Sequence, residues 1–172
     1  MKRVIQIVLV LAIIGLAVWG WQALHPSPEK AIRSRLDNLA KTLSFKSGSG
    51  MLGQAYNAEK ISEFFTPDVE VEINFNGVEP LSIQGRDEVM ALAAKGRSQL
   101  TSLKVEFPDM NVTINPDGKS AKVNLTGKAI VPGERDISAQ EFNFQLKKVD
   151  GKWLIYRVET VRTLSALAAG VT

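Results

Sequence analysis

The sequence predicts an α+β fold: an N-terminal transmembrane helix, then three helices packed in the concave face of a strongly curved antiparallel sheet. Three observations predict it. The chain opens on an uninterrupted apolar run. Helical periodicity is confined to the stretch between Ser27 and Leu100. From Leu103 onward apolar and polar residues alternate and are cut by turn residues, the signature of successive strands. The expected divisions are an anchor over 1–25, one folded domain over 26–165 and a frayed tail over 166–172.

The anchor comes first. Lys2 and Arg3 precede a run from Val4 to Leu24 in which Gln6 and Gln22 are the strongly polar residues. Twenty-one residues make roughly 30 Å of helix, one hydrocarbon thickness. Trp19 and Trp21 sit at the far end, where aromatic rings favour the membrane interface, and the two leading cations favour a cytoplasmic N-terminus. A cleaved signal peptide has an apolar region of only about 7–15 residues followed by small residues. Here the run is longer and tryptophans occupy that place. The expectation is an uncleaved single span in a bacterial inner (cytoplasmic) membrane, with the domain in the periplasm or outside.

The elements of the domain follow in order. Ser27 and Pro28 are a helix cap and first-turn pair, and Ile32, Leu36, Leu39, Ala40 and Leu43 then form one apolar stripe that runs to the Lys46–Gly50 loop. A short helix is expected from Ala58 to Phe65, broken by Thr66-Pro67-Asp68. VEVEINF alternates strictly, Asn76-Gly77 turns the chain, and Leu81 and Ile83 mark a short return strand. Gly85 opens a third helix whose apolar side is Val89, Leu92, Ala93 and Leu100. LKVEF, MNVTI, KVNLTGKAIV, ISAQEFNFQLKKV and WLIYRVETVRTL are the strands that follow. Asn115-Pro116-Asp117-Gly118 and Asp150-Gly151 serve as tight turns between them.

Composition excludes several chemistries. Cysteine is absent, which removes thiol catalysis, disulfides and a lipoprotein acylation site. The single histidine, His25, lies at the end of the apolar run, which removes most histidine zinc sites and Ser-His-Asp triads. Beyond Lys2 and Arg3 the chain carries 19 basic and 18 acidic residues, no footprint for nucleic acid. Neither a metal nor a cofactor is expected.

Three local patterns, with the order of elements, resemble the NTF2-like (SnoaL-like, cystatin-like) α+β cone superfamily over about Glu29 to Leu164. They are ISEFFTPDVEVEI, the helix entry IQGRDEVMAL, and the closing hairpin FNFQLKKVDGKWLIYRVE. The fold hosts enzymes, binding modules and scaffolds, so it leaves function open. The resemblance to ketosteroid isomerases puts their general base at Ile73, their protonated oxyanion carboxyl near Gln140 and their oxyanion tyrosine near Leu36. Ile73 cannot take a proton, the first helix has no tyrosine, and Gln140 can donate a hydrogen bond but has no acid to tune, so all three roles are vacant or altered. The dehydratase relatives use a His-Asp pair, and His25 is misplaced for it. The chain therefore leans away from enzyme activity.

With Ile73 facing in, Val69, Val71 and Phe75 also face in, and Glu70, Glu72 and Asn74 face water. In the last strand, alternation puts Trp153, Ile155, Arg157 and Glu159 on one face. Arg157 and Glu159 are expected to form salt bridges at the sheet's open end; the alternative is that Arg157 and Gln140 hold the polar end of a small amphipathic ligand, with Ile73 and Glu159 in the pocket and Tyr56 at its mouth. Leu154, Tyr156 and Val158 on the other face are a candidate partner surface, for a homodimer through the sheet or an envelope protein.

The function expected is a membrane-anchored, extracytoplasmic, non-catalytic binding or scaffold module. A second reading is a SnoaL-like isomerase, dehydratase or hydrolase with non-standard pocket residues. A third is an assembly subunit similar to the VirB8-type components of type IV secretion, whose Asn-Pro-x-Gly motif Asn115–Gly118 matches.

Overall fold

The computed structural model describes residues 27–46, 59–74, 79–133 and 138–161. The expected anchor, Tyr56, Phe75 and the tail lie outside these residues. Helix α1 spans Pro28–Leu43 and is followed by β1 (Phe65–Ile73), β2 (Leu81–Gln84) and α2 (Arg86–Gln99). Then come β3 (Lys104–Glu106), β4 (Met110–Ile114), β5 (Ser120–Ile130), β6 (Ser138–Val149) and β7 (Lys152–Thr160). A helical turn at 59–62 precedes β1.

Helix α1 begins as its sequence requires. The Ser27 hydroxyl accepts from Lys30 N at 3.4 Å, and Pro28 sits where its missing N–H costs nothing. Ile32, Leu36, Leu39 and Ala40 bury the stripe. The helix stops at Leu43. Ser44 turns extended and its hydroxyl accepts from Val105 N at 2.9 Å, and Phe45 then pairs with Leu103 as a β-bridge.

The strands form one sheet in the order β2-β1-β7-β6-β5-β3, with β4 also on β5. An all-antiparallel sheet was expected. The sheet is mixed instead, because β1 pairs parallel to β7. The two strands are far apart in sequence, so no tight turn dictates their relative direction, and alternation is the same for either. The short helix is also corrected. Residues 65–73 are strand, and Thr66-Pro67-Asp68 lies inside it. Ile155 N already donates to Phe64 O at 2.9 Å, so the chain joins β7 before the proline. Pro67 is exposed within a register shift between Phe65 and Glu70, where no ladder donor is needed.

The most consequential irregularity lies in β7. Leu146 opposes Ile155 and Gln145 opposes Arg157, which leaves Tyr156 as an extra residue. A bulge resets the two-residue alternation. Trp153 and Ile155 point into the core, and beyond the bulge it is Val158 that does so, at 5% exposure. Arg157 and Glu159 therefore share the outer face with Glu70 and Glu72, and Val158 leaves the outer face expected for it.

The core is the layer between α1 and the inner sheet face. Leu36, Val69, Val123, Leu146 and Ile155 are fully enclosed there. Helix α2 is more loosely held. Val89 and Ala93 pack on the core, while Leu92 stays 41% exposed.

Two substitutions test this packing. Gly127 lies against the Phe142 ring, where an added Cβ would meet a ring carbon at 2.8 Å. Gly127→Ala is expected to cost about 1–3 kcal/mol. Leu36→Ala, which opens a cavity under α1, is expected to cost about 2–5 kcal/mol. Urea unfolding that shows a lowered midpoint with an unchanged slope is the check; unchanged midpoints would contradict the packing.

Candidate functional site

The fold resemblance puts chemistry on the sheet's inner face. Leu36 projects from α1 into the core with no exposed surface. Ile73 ends β1 opposite Leu81 and packs half-buried against the core. Gln140 stands across from Gly127, and its amide donates to Val161 O and Glu141 O, both at 3.1 Å. That side chain clips the end of β7 to β6. Among the described residues the buried polar and charged side chains are Ser62, Thr66 and Arg97. The Ser62 hydroxyl donates to Glu59 O at 2.6 Å. Arg97 donates to Thr42 O and stacks over Phe45 at 4.7 Å, which ties α2 to the end of α1. Burial pulls its guanidinium below the ordinary arginine value.

On the outer face the parallel seam gathers charge. Arg157 donates from Nε to Glu159 at 2.6 Å and from Nη1 to Glu70 at 2.7 Å, and Nη2 lies 3.4 Å from Glu72. The Glu159 hydrogen bond and charge, followed by Glu72 and Glu70, hold the guanidinium above its ordinary value. Register explains the meeting: Glu70 opposes Arg157 and Glu72 opposes Glu159. One cation among three carboxylates leaves the cluster net negative, with the fork of the guanidinium already occupied. Beside it, the Tyr156 hydroxyl donates to Gln145 Oε1 at 2.7 Å, and Lys147 Nζ sits 5.6 Å over the Tyr156 ring and 3.4 Å from Asp68.

The expected pocket group is thus divided by the sheet. Gln140 and Ile73 belong to the inner side, Arg157 and Glu159 to the outer, and Tyr56 lies outside the described residues. Arg157 and Gln140 do not meet. Leu154 and Tyr156 are half-buried on the outer face, while Val158 is in the core. Asp68, Gln145 and Lys147 stand on the same outer face, Gln145 and Lys147 by alternation with the buried Phe144 and Leu146, while the bulge in β7 turns Arg157 toward that face.

Two clefts open at the sheet margins. One of about 800 Å³ is lined by Phe45, Leu103, Pro132 and their neighbours at the end of α1. Another of about 480 Å³ includes Asp109, Asn124, Thr126 and Glu141, and there the Thr126 hydroxyl donates to Asp109 at 2.7 Å. Among the described residues no group of acidic or histidine side chains is arranged to hold a metal ion.

The family profile described as a SnoaL-like domain matches residues 35–159. The chain belongs to the SnoaL-like family. No curated protein matches it. Solved structures resemble the SnoaL-like domain in fold. An NTF2-like protein with a cystatin-like fold from Novosphingobium aromaticivorans has a TM-score of 0.62 at 14% identity, over 88% of this chain and 92% of that one. A scytalone dehydratase candidate from the same organism has a TM-score of 0.57 at 19% identity, over 77% and 81%. The yeast Ubp3-associated protein Bre5 has a TM-score of 0.59 at 13% identity, over 77% and 94%. At these identities the likeness is one of fold, an α+β arrangement of helices on a mixed sheet.

Two measurements test the electrostatics of the SnoaL-like domain. Arg157→Ala leaves Glu70, Glu72 and Glu159 facing one another, so stability should fall most at low salt. The gap from the wild type should narrow in high salt, which screens exposed charges; a salt-independent gap would mean that Arg157 acts by packing. In the hairpin turn, the Asp117 carboxylate is held below the usual carboxylate range by the Ser120 hydroxyl first, then by Lys119 N and Ser120 N. A depressed folded value stabilises above the unfolded value of about 3.9 and is lost as pH falls through the folded one. Ser120→Ala should move the Asp117 titration upward by NMR, and an unmoved titration would contradict the assignment.

Proposed function

We propose that this SnoaL-like domain is a non-catalytic binding or scaffold module, tethered to a bacterial inner membrane by its N-terminal apolar run and exposed on the extracytoplasmic side. The observation that carries the non-catalytic reading is what occupies the three inner positions. Leu36 is core, Ile73 packs on core, and the Gln140 amide is spent on backbone carbonyls. Proton transfer from carbon or water needs a positioned base of suitable pKa. Among the described residues the buried polar groups are two hydroxyls and an arginine that stacks on Phe45.

The tether rests on sequence. Residues 4–24 are long and apolar enough to span, and among the described residues no helix has that character. Tethering raises the effective concentration near membrane partners, which suits a module that works by binding. A yeast protein of this fold is named for its association with Ubp3. The enzyme reading draws support from the dehydratase candidate of like fold. The secretion reading draws none from Asn115–Gly118. Asp117 binds the turn's own backbone and Gly118 takes a φ of +62°, so the turn itself accounts for these residues.

Carbonate washing of membranes from cells making the full chain is expected to leave it in the pellet. Protease added to the periplasmic side should then degrade the domain. A chain released by carbonate, or protected from the protease, would overturn the tether. For the non-catalytic reading, Gln140→Ala, Arg157→Ala and Glu159→Ala should each sustain the cellular role of the gene. Loss of that role in a variant that remains folded would restore the pocket reading.

A further inference from the structure

Two parts of the fold converge at one end of the sheet. Helix α1 ends beside β3, where Ser44 holds Val105, and Asp37, Ala40, Lys41 and Ser44 run alongside Lys104 to Pro108. Strands β3 and β4 pair with β5 from Ile130 back to Ala121. Read backward, α1 therefore travels with β3 and β4 toward the start of β5, and its length of about 24 Å carries Pro28 toward that end. The turns Asn115–Gly118 and Asp150–Gly151 lie at the same end. Lys148 N donates to Lys119 O at 2.7 Å and locks the two hairpins side by side.

Charge is concentrated there. Segments 27–35, 115–122 and 147–152 hold eight basic and three acidic residues, and the other described residues hold nine basic and thirteen acidic. Arg33, Arg35 and Lys147 are engaged by Glu29, Glu63 O and Asp68. Among the described residues, Lys30, Lys119, Lys148 and Lys152 are exposed and in no ion pair. Asp117 is turned onto its own hairpin.

The chain decides what this end faces. Only His25, Pro26 and Ser27 separate the apolar run from α1. Three extended residues reach roughly 10 Å, so the first turn of α1 is held at the bilayer surface. We propose that the hairpin end of the domain, through Lys119, Lys148 and Lys152 with Lys30 of α1, binds the anionic phospholipid headgroups of the membrane that carries the anchor. This rests on the tether reading. The docking presents the more acidic remainder of the domain, with the Arg157 cluster, away from the bilayer. Opposite charge attracts such a surface within about 10 Å and is screened by salt.

The absence of cysteine makes the test direct. Full chain carrying Pro116→Cys in the hairpin, or Pro132→Cys at the opposite end, is labelled with a fluorophore. Each is placed in nanodiscs of phosphatidylglycerol and phosphatidylcholine that contain a headgroup nitroxide. The Pro116→Cys label should be quenched and the Pro132→Cys label spared. The quenching should fade in 0.5 M salt, a condition well above the ionic strength of about 0.15 M in cells. It should fade also in pure phosphatidylcholine and in the Lys119→Glu/Lys148→Glu/Lys152→Glu variant. Each lysine near the surface contributes roughly fivefold, so reversing three should weaken docking by at least about a hundredfold. Equal quenching of both labels, or quenching indifferent to salt and lipid charge, would overturn the docking while leaving the tether intact. A chain that does not float with vesicles after a carbonate wash would overturn the tether, and this proposal with it. Circular dichroism of the triple variant confirms its fold, and the salt titration of the unreversed chain gives the answer without it.

Discussion

Strand β7 is the joint on which the rest of the molecule depends. It pairs with β6 on one side and β1 on the other, so it connects the β1–β2 hairpin and α2 to the long meander. Its N-terminal half places Trp153 and Ile155 under α1, and its C-terminal half places Val158 against Val71 and Phe144. Both halves can face the core only because Tyr156 is an extra residue between them. Without the bulge, strict alternation would drive Arg157 into an apolar layer, where an unpaired charge is costly. With it, Arg157 reaches Glu70, Glu72 and Glu159 in water's presence.

The same constraint separates the two faces chemically. The inner face is hydrocarbon from Leu36 to Phe144, and the Gln140 amide there is spent on backbone carbonyls. The outer face is ionic along the parallel seam, and its guanidinium is fully engaged. Half-exposed ion pairs of this kind set register and solubility more than they set stability. The contrast between these two faces is what the proposed binding reading rests on.

The direction of α1 adds an orientation to those surfaces. A helix that runs back along β4 from β3 brings its first turn to the end of the sheet that holds both hairpin turns, the end that the proposed anchor would face. Lysine-rich turns then sit at one end and the acidic cluster on the sheet face. The asymmetry arises from short segments that are far apart in sequence and become neighbours only through β5 and β6 pairing.

Local rules account for what could be read from the residues alone. Ser27-Pro28, the stripe from Ile32 to Leu43, the alternation of Val69 and Val71 against Glu70 and Glu72, and the Asp117-Gly118 and Asp150-Gly151 turns depend on neighbours a few residues away, so their placement followed from the sequence. The SnoaL-like family and the α+β class were legible from the order of these elements. Three things needed the tertiary structure. The parallel pairing of β1 with β7 depends on a partner about ninety residues distant, and alternation carries no direction. The start of β1 ahead of Pro67 depends on Ile155 reaching Phe64. The face of Arg157 depends on Tyr156 being passed over in the ladder, a choice made by packing Ile155 and Val158 together into one core. A single unpaired residue in a regular strand leaves no mark in composition or period, and it decided the side of the sheet on which every later residue of β7 stands.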